Sequence, residues 1–213
     1  MVILGKDHIF PDPNYYCDSD GLIALGGDLS TNRLLSAYKS GIFPWETEPV
    51  IAWYCPDPRS ILIPKDIIIS KSMRSILKKG IFEFKINTVF DEVIRKCKTT
   101  FRKGIEGSWI SEELIESFIK LNQKGIAISA ETWLNGKLVG GLYGLLIGKV
   151  FFGESMFSEH ANASKFALIH LANYLEKKNI VLIDCQVHSD HLETLGAILI
   201  ERKSFLKILK TLV

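Results

Sequence analysis

The C-terminal half of the chain predicts an α+β fold, and three observations predict it. ISAETWL (128–134), an Asn135-Gly136 turn and LVGGLYGLLI (138–147) form a hairpin signal, and Gly148-Lys149 turns the chain into a third apolar strand, VFFGESMF (150–157). Next comes an amphipathic helix, with Phe166, Ala167, Leu171, Tyr174 and Leu175 at three- and four-residue spacing. The apolar run IVLIDCQ (180–186) then reads as a fourth strand. Three antiparallel strands, a helix and a strand give a β-β-β-α-β order.

Composition sets limits on partners. With 213 residues, 47% of them apolar and 23% charged, the chain has the make-up of a globular protein with a sizeable core. A net charge of +2 announces no nucleic-acid partner, so any basic footprint must be local. The longest uncharged apolar stretch, Leu138 to Gly148, is too short and glycine-rich for a membrane span, and the N-terminus lacks signal-peptide architecture. Cys17, Cys55, Cys97 and Cys185 are widely spaced with no C-x-x-C pair, which argues against zinc and a disulfide scaffold and suits a reducing cytoplasm. His188 and His191 could share a helical face, but two histidines alone do not make a metal site.

Residues 1–30 are turn-rich. Gly26-Gly27-Asp28 precedes a helix but lacks the spacing of a phosphate loop, and reads as a structural turn. A helix over 31–40 is capped by Ser30 or Thr31 and stopped by Gly41. FPWETEPVIAWYCPDPR (43–59) sets aromatics between prolines, on a stiff backbone rather than in a regular element. It reads either as an apolar cluster under a loop or as a platform where Trp45 or Trp53 stacks on a base, worth about 1–3 kcal/mol.

On a helix over 70–80, Lys71, Arg74 and Lys78 share one face with Lys79 beside them, opposite Met73, Ile76 and Leu77. Such a face is either a solvated stripe or a phosphate-backbone patch. A helix over 88–98 starts at Thr88 and buries Val89, Phe90, Val93, Ile94 and Cys97. The loop TTFRKGIEGSWI carries Trp109, and Ser111 caps a helix over 112–124. GAILIE (196–201) adds a strand and 204–212 a final helix.

Glu154 and Ser155 interrupt the third apolar strand near its end, as Asp184 and Gln186 interrupt the fourth. Polar atoms in apolar strand ends need partners, and a substrate can be one. The unit 153–186 is therefore the expected floor of an active site.

GGDLSTNRLLSAYKSGIFPW, PDPR, SWI, LVGGLYG, GESMFS, NASK, LIDCQ and HLETLGA stand in the order found in leucyl/phenylalanyl-tRNA–protein transferases. The resemblance runs from about Phe10 to about Phe205. It implies a small N-terminal α/β domain, placed at 1–62, and a domain of the acetyltransferase-like (GNAT) superfamily at 63–213. It also implies a cytoplasmic, cofactor-free, metal-free monomer moving leucine or phenylalanine, and less readily methionine, from aminoacyl-tRNA onto proteins beginning with arginine or lysine. Carried over by motif, Trp45 and Trp109 resemble the residues holding the terminal adenosine. Leu142, Phe151, Met156, Leu168 and Ile183 look like the aminoacyl pocket, and Glu154, Asp184 and Gln186 like the catalytic polar group. The Lys71, Arg74, Lys78 and Lys79 face matches a region touching the tRNA backbone.

The chemistry is consistent with those residue types. The ester is already activated, and an α-amine titrates near about 7.7–8.0, so positioning and charge stabilisation remain to be supplied. Gln186 orients the amine without deprotonating it, since an amide is not a useful base. Asp184 is expected to fix Gln186 and favour positive charge on the attacking nitrogen. Together with Glu154 it would attract the acceptor's cationic side chain. Cys185, between the polar positions, is expected to point to the other face and join the core.

Two rival functions are weighed. An acetyl-CoA-dependent acetyltransferase would need a glycine-rich pyrophosphate turn, and SEHANASK has no glycine. A non-catalytic RNA-binding module would use the basic helix and aromatics but leave Glu154, Asp184 and Gln186 unexplained.

Overall fold

The computed structural model describes residues 2–100 and 109–213, so most of the loop expected after the helix over 88–98, at 101–108, lies outside the described residues. In chain order the N-terminal part gives β1 (Val2–Leu4), β2 (Leu22–Gly26), α1 (Thr31–Lys39), β3 (Phe43–Glu46) and β4 (Ala52–Tyr54). These strands pair in the order β1-β2-β4-β3. The strands β3 and β4 correct the reading of 43–59 as irregular. Proline is tolerated there because β3 is an edge strand, where a missing N–H costs no ladder bond. Ser30 is the cap of α1, its hydroxyl accepting from the Arg33 N–H. The Gly26-Gly27-Asp28 turn is structural: buried Arg33 donates to Asp28 and to the Gly5 carbonyl.

The rest of the chain runs β5 (Arg59–Leu62), α2 (Lys71–Lys79), β6 (Glu83–Ile86), α3 (Phe90–Thr99), α4 (Glu112–Gln123), β7 (Ala127–Leu134), β8 (Lys137–Ile147), β9 (Val150–Ser158), α5 (Ala163–Lys177), β10 (Leu182–Gln186), α6 (Asp190–Glu193), β11 (Ile198–Ile200) and α7 (Arg202–Leu212). Among the described residues the larger sheet has the order β11-β5-β10-β9-β8-β7-β6. The expected β-β-β-α-β unit is β7-β8-β9-α5-β10, with β10 parallel to β9 and the other neighbours antiparallel. No described helix is long and apolar enough to cross a membrane.

Sequence reading missed β5 and β6, both short. β5 matters more, because Arg59–Leu62 pairs with β10 and β11 in the large sheet although it falls on the N-terminal side of a boundary at 62/63. A single apolar cluster also runs from Leu34, Tyr38 and Trp53 through Ile94 and Phe118 to Phe205 and Leu209. The two sheets thus share one core. Gly41 shows how closely α7 packs there: its φ is +76°, and a Cβ would lie 2.6 Å from a Leu206 methyl. On the opposite face of the large sheet, α5 and Met73 of α2 cover a second cluster containing Leu142, Phe151, Leu168 and Ile183.

The α3 helix begins at Phe90 rather than Thr88, for a reason outside its own segment. Glu131 on β7 accepts from the Thr88 and Val89 backbone N–H groups at 2.8 and 3.0 Å, and from the Thr88 hydroxyl. A side chain from a distant strand therefore supplies the helix cap.

Candidate active site

Two interruptions of the ladder build the site. On β9, Ser155 pairs with Tyr143 and Gly153 with Gly144, so Glu154 is an extra, bulged residue. On β10, Asp184 pairs with Ile61 and Gln186 with Ser60, so Cys185 is bulged too. The parallel β9–β10 ladder ends at Asp184 opposite Phe152. Beyond that point the strands part, and Glu154 and Gln186 face the opening. A bulge re-aims a side chain and ends pairing, and both effects are used here. Gly144 makes the crowding possible, since a Cβ there would sit 2.1 Å from the Phe152 carbonyl oxygen.

The opening leads into a cavity of about 890 Å³. Leu142, Phe151, Met156, Leu168 and Ile183 line it, together with Trp45 and Trp109. Trp45 is 38% exposed and meets Tyr54 edge to face, with ring centroids 5.4 Å apart. Thr47 donates to the Trp109 carbonyl at 2.7 Å, tying the two tryptophan segments together. Trp53 is not a stacking platform: it is fully buried, and its Nε1–H donates to the Gly26 carbonyl.

The polar floor is a layered network. Gln186 Nε2 donates to Glu154 Oε1 at 2.8 Å. Gln186 has φ +65°, a left-handed conformation that a glutamine rarely adopts, and its backbone N–H donates to Asp184 Oδ1 at 3.0 Å. Asp184 is fully buried and held by Arg59, Nε to Oδ1 at 2.8 Å and Nη2 to Oδ2 at 2.6 Å. The Arg59 guanidinium lies over the rings of Phe43 and Phe205, 4.9 and 4.6 Å from their centroids. Burial opposes its charge, but Asp184 outweighs that and keeps it protonated.

This geometry corrects the expected role of Asp184. Its carboxylate is neutralised by a bidentate partner and does not line the cavity, so it is not available to attract an acceptor's cation. It fixes Gln186 through the backbone N–H rather than through the side chain. Cys185 lines the cavity rather than turning to the other face, but it does pack against the second apolar cluster, and burial holds its thiol far above the ordinary range, which disfavours the thiolate.

Glu154 is the perturbed group. Burial pushes its carboxyl up to about 8, opposed by interaction with Tyr38 and Gln186. Tyr38, fully buried on α1, turns its hydroxyl toward Glu154 and is itself raised by burial and by that carboxyl. Tyr38 and Arg59 went unassigned in sequence reading, although both lie inside family-like motifs, because a buried polar side chain cannot be told from a surface one in a single sequence.

Lys71, Arg74, Lys78 and Lys79 are all exposed on α2, outside the cavity lining. Among the described residues, they form a surface separate from the floor.

A family model described as leucyl/phenylalanyl-tRNA protein transferase matches residues 61–210, and the model for that protein's N-terminal domain matches residues 27–57. The chain belongs to this family. Leucyl/phenylalanyl-tRNA–protein transferase of Flavobacterium johnsoniae is 52% identical over 213 residues, 99% of this chain and 100% of that protein. The Flavobacterium psychrophilum protein is 49% identical, covering 99% of this chain and 100% of that one. The Chromobacterium violaceum protein is 43% identical over 97% of this chain and 89% of that one. Among solved structures, an aminoglycoside acetyltransferase from a soil metagenome is similar at TM-score 0.42 and 14% identity, over 54% of this chain and 84% of that one. A score this low supports no functional comparison.

Proposed function

We propose that the chain transfers leucine or phenylalanine, and less readily methionine, from aminoacyl-tRNA to the α-amine of proteins beginning with arginine or lysine. Such a product carries a new N-terminus that marks it for degradation. The work belongs in the cytoplasm, where charged tRNA is made, and one copy of the chain suffices. The observation that supports it best is the Glu154–Gln186 pair, set where β9 and β10 part and bordered by both the apolar wall and the two tryptophans.

In this reading the terminal adenosine stacks on Trp45 and Trp109, and the leucyl or phenylalanyl side chain fills the wall of Leu142, Phe151, Met156, Leu168 and Ile183. An apolar wall separates side chains differing by one methylene by only about 1–3 kcal/mol, which gives a graded preference. A charged aminoacyl group would arrive there unpaired and be rejected.

Gln186 has its Nε2 committed to Glu154, so its Oε1 accepts from the incoming amine. The amine nitrogen attacks the ester carbonyl carbon and a C–N bond forms. Glu154 takes the proton that the nitrogen sheds. The carbon–oxygen bond to the ribose then breaks, and the leaving ribose oxygen receives that proton. A carboxyl near 8 and an α-amine near about 7.7–8.0 are matched for such a transfer. The α2 face of Lys71, Arg74, Lys78 and Lys79 meets phosphates of the tRNA.

The test is transfer of radiolabelled leucine from Leu-tRNA to a reporter beginning with arginine, beside a valine-initial reporter, without ATP or metal. Label on the arginine reporter alone supports the reading. No label on either, with tRNA still bound, replaces it with a non-catalytic RNA-binding module.

A further inference from the structure

A second, smaller cleft of about 290 Å³ adjoins the main cavity. His188 and Ser189 line both, so the two are joined across the segment that leaves β10. The far side of the cleft is formed by β11, the terminal strand of the large sheet, where Ile198 is 52% and Leu199 46% exposed. Glu193 on α6 closes it, its carboxylate 3.1 Å from His188 Nε2, with Asp190 beside them.

The space around the floor constrains how a protein acceptor approaches. In the proposed reading Leu142, Phe151, Met156, Leu168 and Ile183 of the main cavity hold the aminoacyl side chain, and Trp45 and Trp109 hold the adenosine. His188 and Ser189, which the main cavity shares with the small cleft, hold neither group in that reading. A polypeptide whose amine reaches Gln186 must continue outward as an extended chain, and the small cleft begins there. It is lined by half-exposed apolar side chains on a sheet edge, a surface an extended peptide covers well. Glu193 and Asp190 place negative charge at the junction, complementary to an acceptor that begins with a cationic residue.

We propose that the cleft bounded by His188, Glu193, Ile198 and Leu199 binds the residues that follow the acceptor's N-terminal residue. This rests on the aminoacyl-transfer reading and deepens it by assigning the acceptor's path. The site favours acceptors with an unfolded N-terminal segment of several residues over a bare N-terminal amino acid. Neither Glu193 nor Ile198 borders the main cavity, so altering them leaves the floor intact.

The experiment measures leucine transfer from Leu-tRNA to two acceptors, an arginine-initial decapeptide and an arginyl dipeptide amide, by the wild-type chain, Ile198→Glu and Glu193→Ala. In the wild type, KM is expected to be lower for the decapeptide. In Ile198→Glu, KM for the decapeptide is expected to rise roughly tenfold, the size of one lost apolar contact, with its kcat and the dipeptide KM unchanged. Glu193→Ala should move the same parameter in the same direction by less. Equal wild-type KM values overturn the proposal. So does a decapeptide KM that neither variant moves, or an equal rise for both acceptors. Absence of transfer to either acceptor by the wild type brings down the aminoacyl-transfer reading itself, and the cleft assignment with it.

Discussion

Glu131 and Glu154 lie on strands separated only by β8, and they live in opposite circumstances. Glu131 is fully buried and surrounded by donors: Thr88 and Val89 at the start of α3, the Ser129 hydroxyl at 2.9 Å and the Trp133 indole at 3.2 Å. It keeps a partner in the ladder on both sides, opposite Lys85 and Gly141. Glu154 is bulged out of its ladder, accepts from Gln186, and borders a cavity. A buried carboxylate with its acceptor sites filled holds structure together, whereas one with few donors and a raised pKa is poised to exchange a proton. The same residue type on the same sheet is a helix cap in one place and a candidate base in the other.

Asp184 offers the strongest way to break that contrast, because it belongs to the active end yet is as fully satisfied as Glu131. Asp184→Ala leaves Arg59 buried and unpaired, and should cost about 3–5 kcal/mol in a denaturant titration. Replacing Arg59 and Asp184 together by leucine should restore most of that stability while turnover stays low, since the Gln186 N–H has lost its acceptor. Recovery of turnover along with stability would make the pair purely structural.

Glu131→Ala comes next. It strands buried donors at the α3 start and should lower unfolding stability by about 3 kcal/mol, with kcat per folded molecule unchanged. A loss of kcat instead would erase the distinction between the two glutamates. Glu154→Gln is the converse: kcat should fall about a hundredfold, the range for losing a general base, while stability near pH 7 holds or rises.

The pH dependence sharpens the same point. Glu154 is raised to about 8 in the fold, so between its unfolded value and about 8 the native state holds a proton that the unfolded chain has lost. That contribution is complete at acid pH and disappears as pH climbs through about 8. Stability of the wild type should therefore decline over this window, and Glu154→Gln should flatten the decline. Activity should move the other way, with kcat/KM rising toward about 8 as Glu154 and the acceptor amine deprotonate. The smallest effect is expected on α2, where Lys78→Ala should weaken tRNA binding similarly for all sequences and reduce the salt slope by about one.

Some of this was legible in the chain. Period-two and helical apolar patterns, an Asn-Gly turn and a glycine-lysine turn were enough for β7 to β10 and α5, because those elements are long and their signals local. Motif order pointed to Glu154, Gln186, the apolar wall and both tryptophans, and the fold brings all of them to one cavity. Strands of three or four residues such as β4 and β5 carry too few side chains for a period to show, and they exist because a neighbouring strand completes their hydrogen bonds.

What the sequence determined by itself was which faces are apolar and which residue types stand at the strand ends, since both are properties of local order along the chain. What only the tertiary structure decided was the charge state and reach of those polar groups. Asp184 became a buried partner of Arg59, 125 positions away, and Glu154 became a raised acid beside Tyr38. Desolvation and pairing depend on what lies across the sheet, and no local pattern encodes that neighbour.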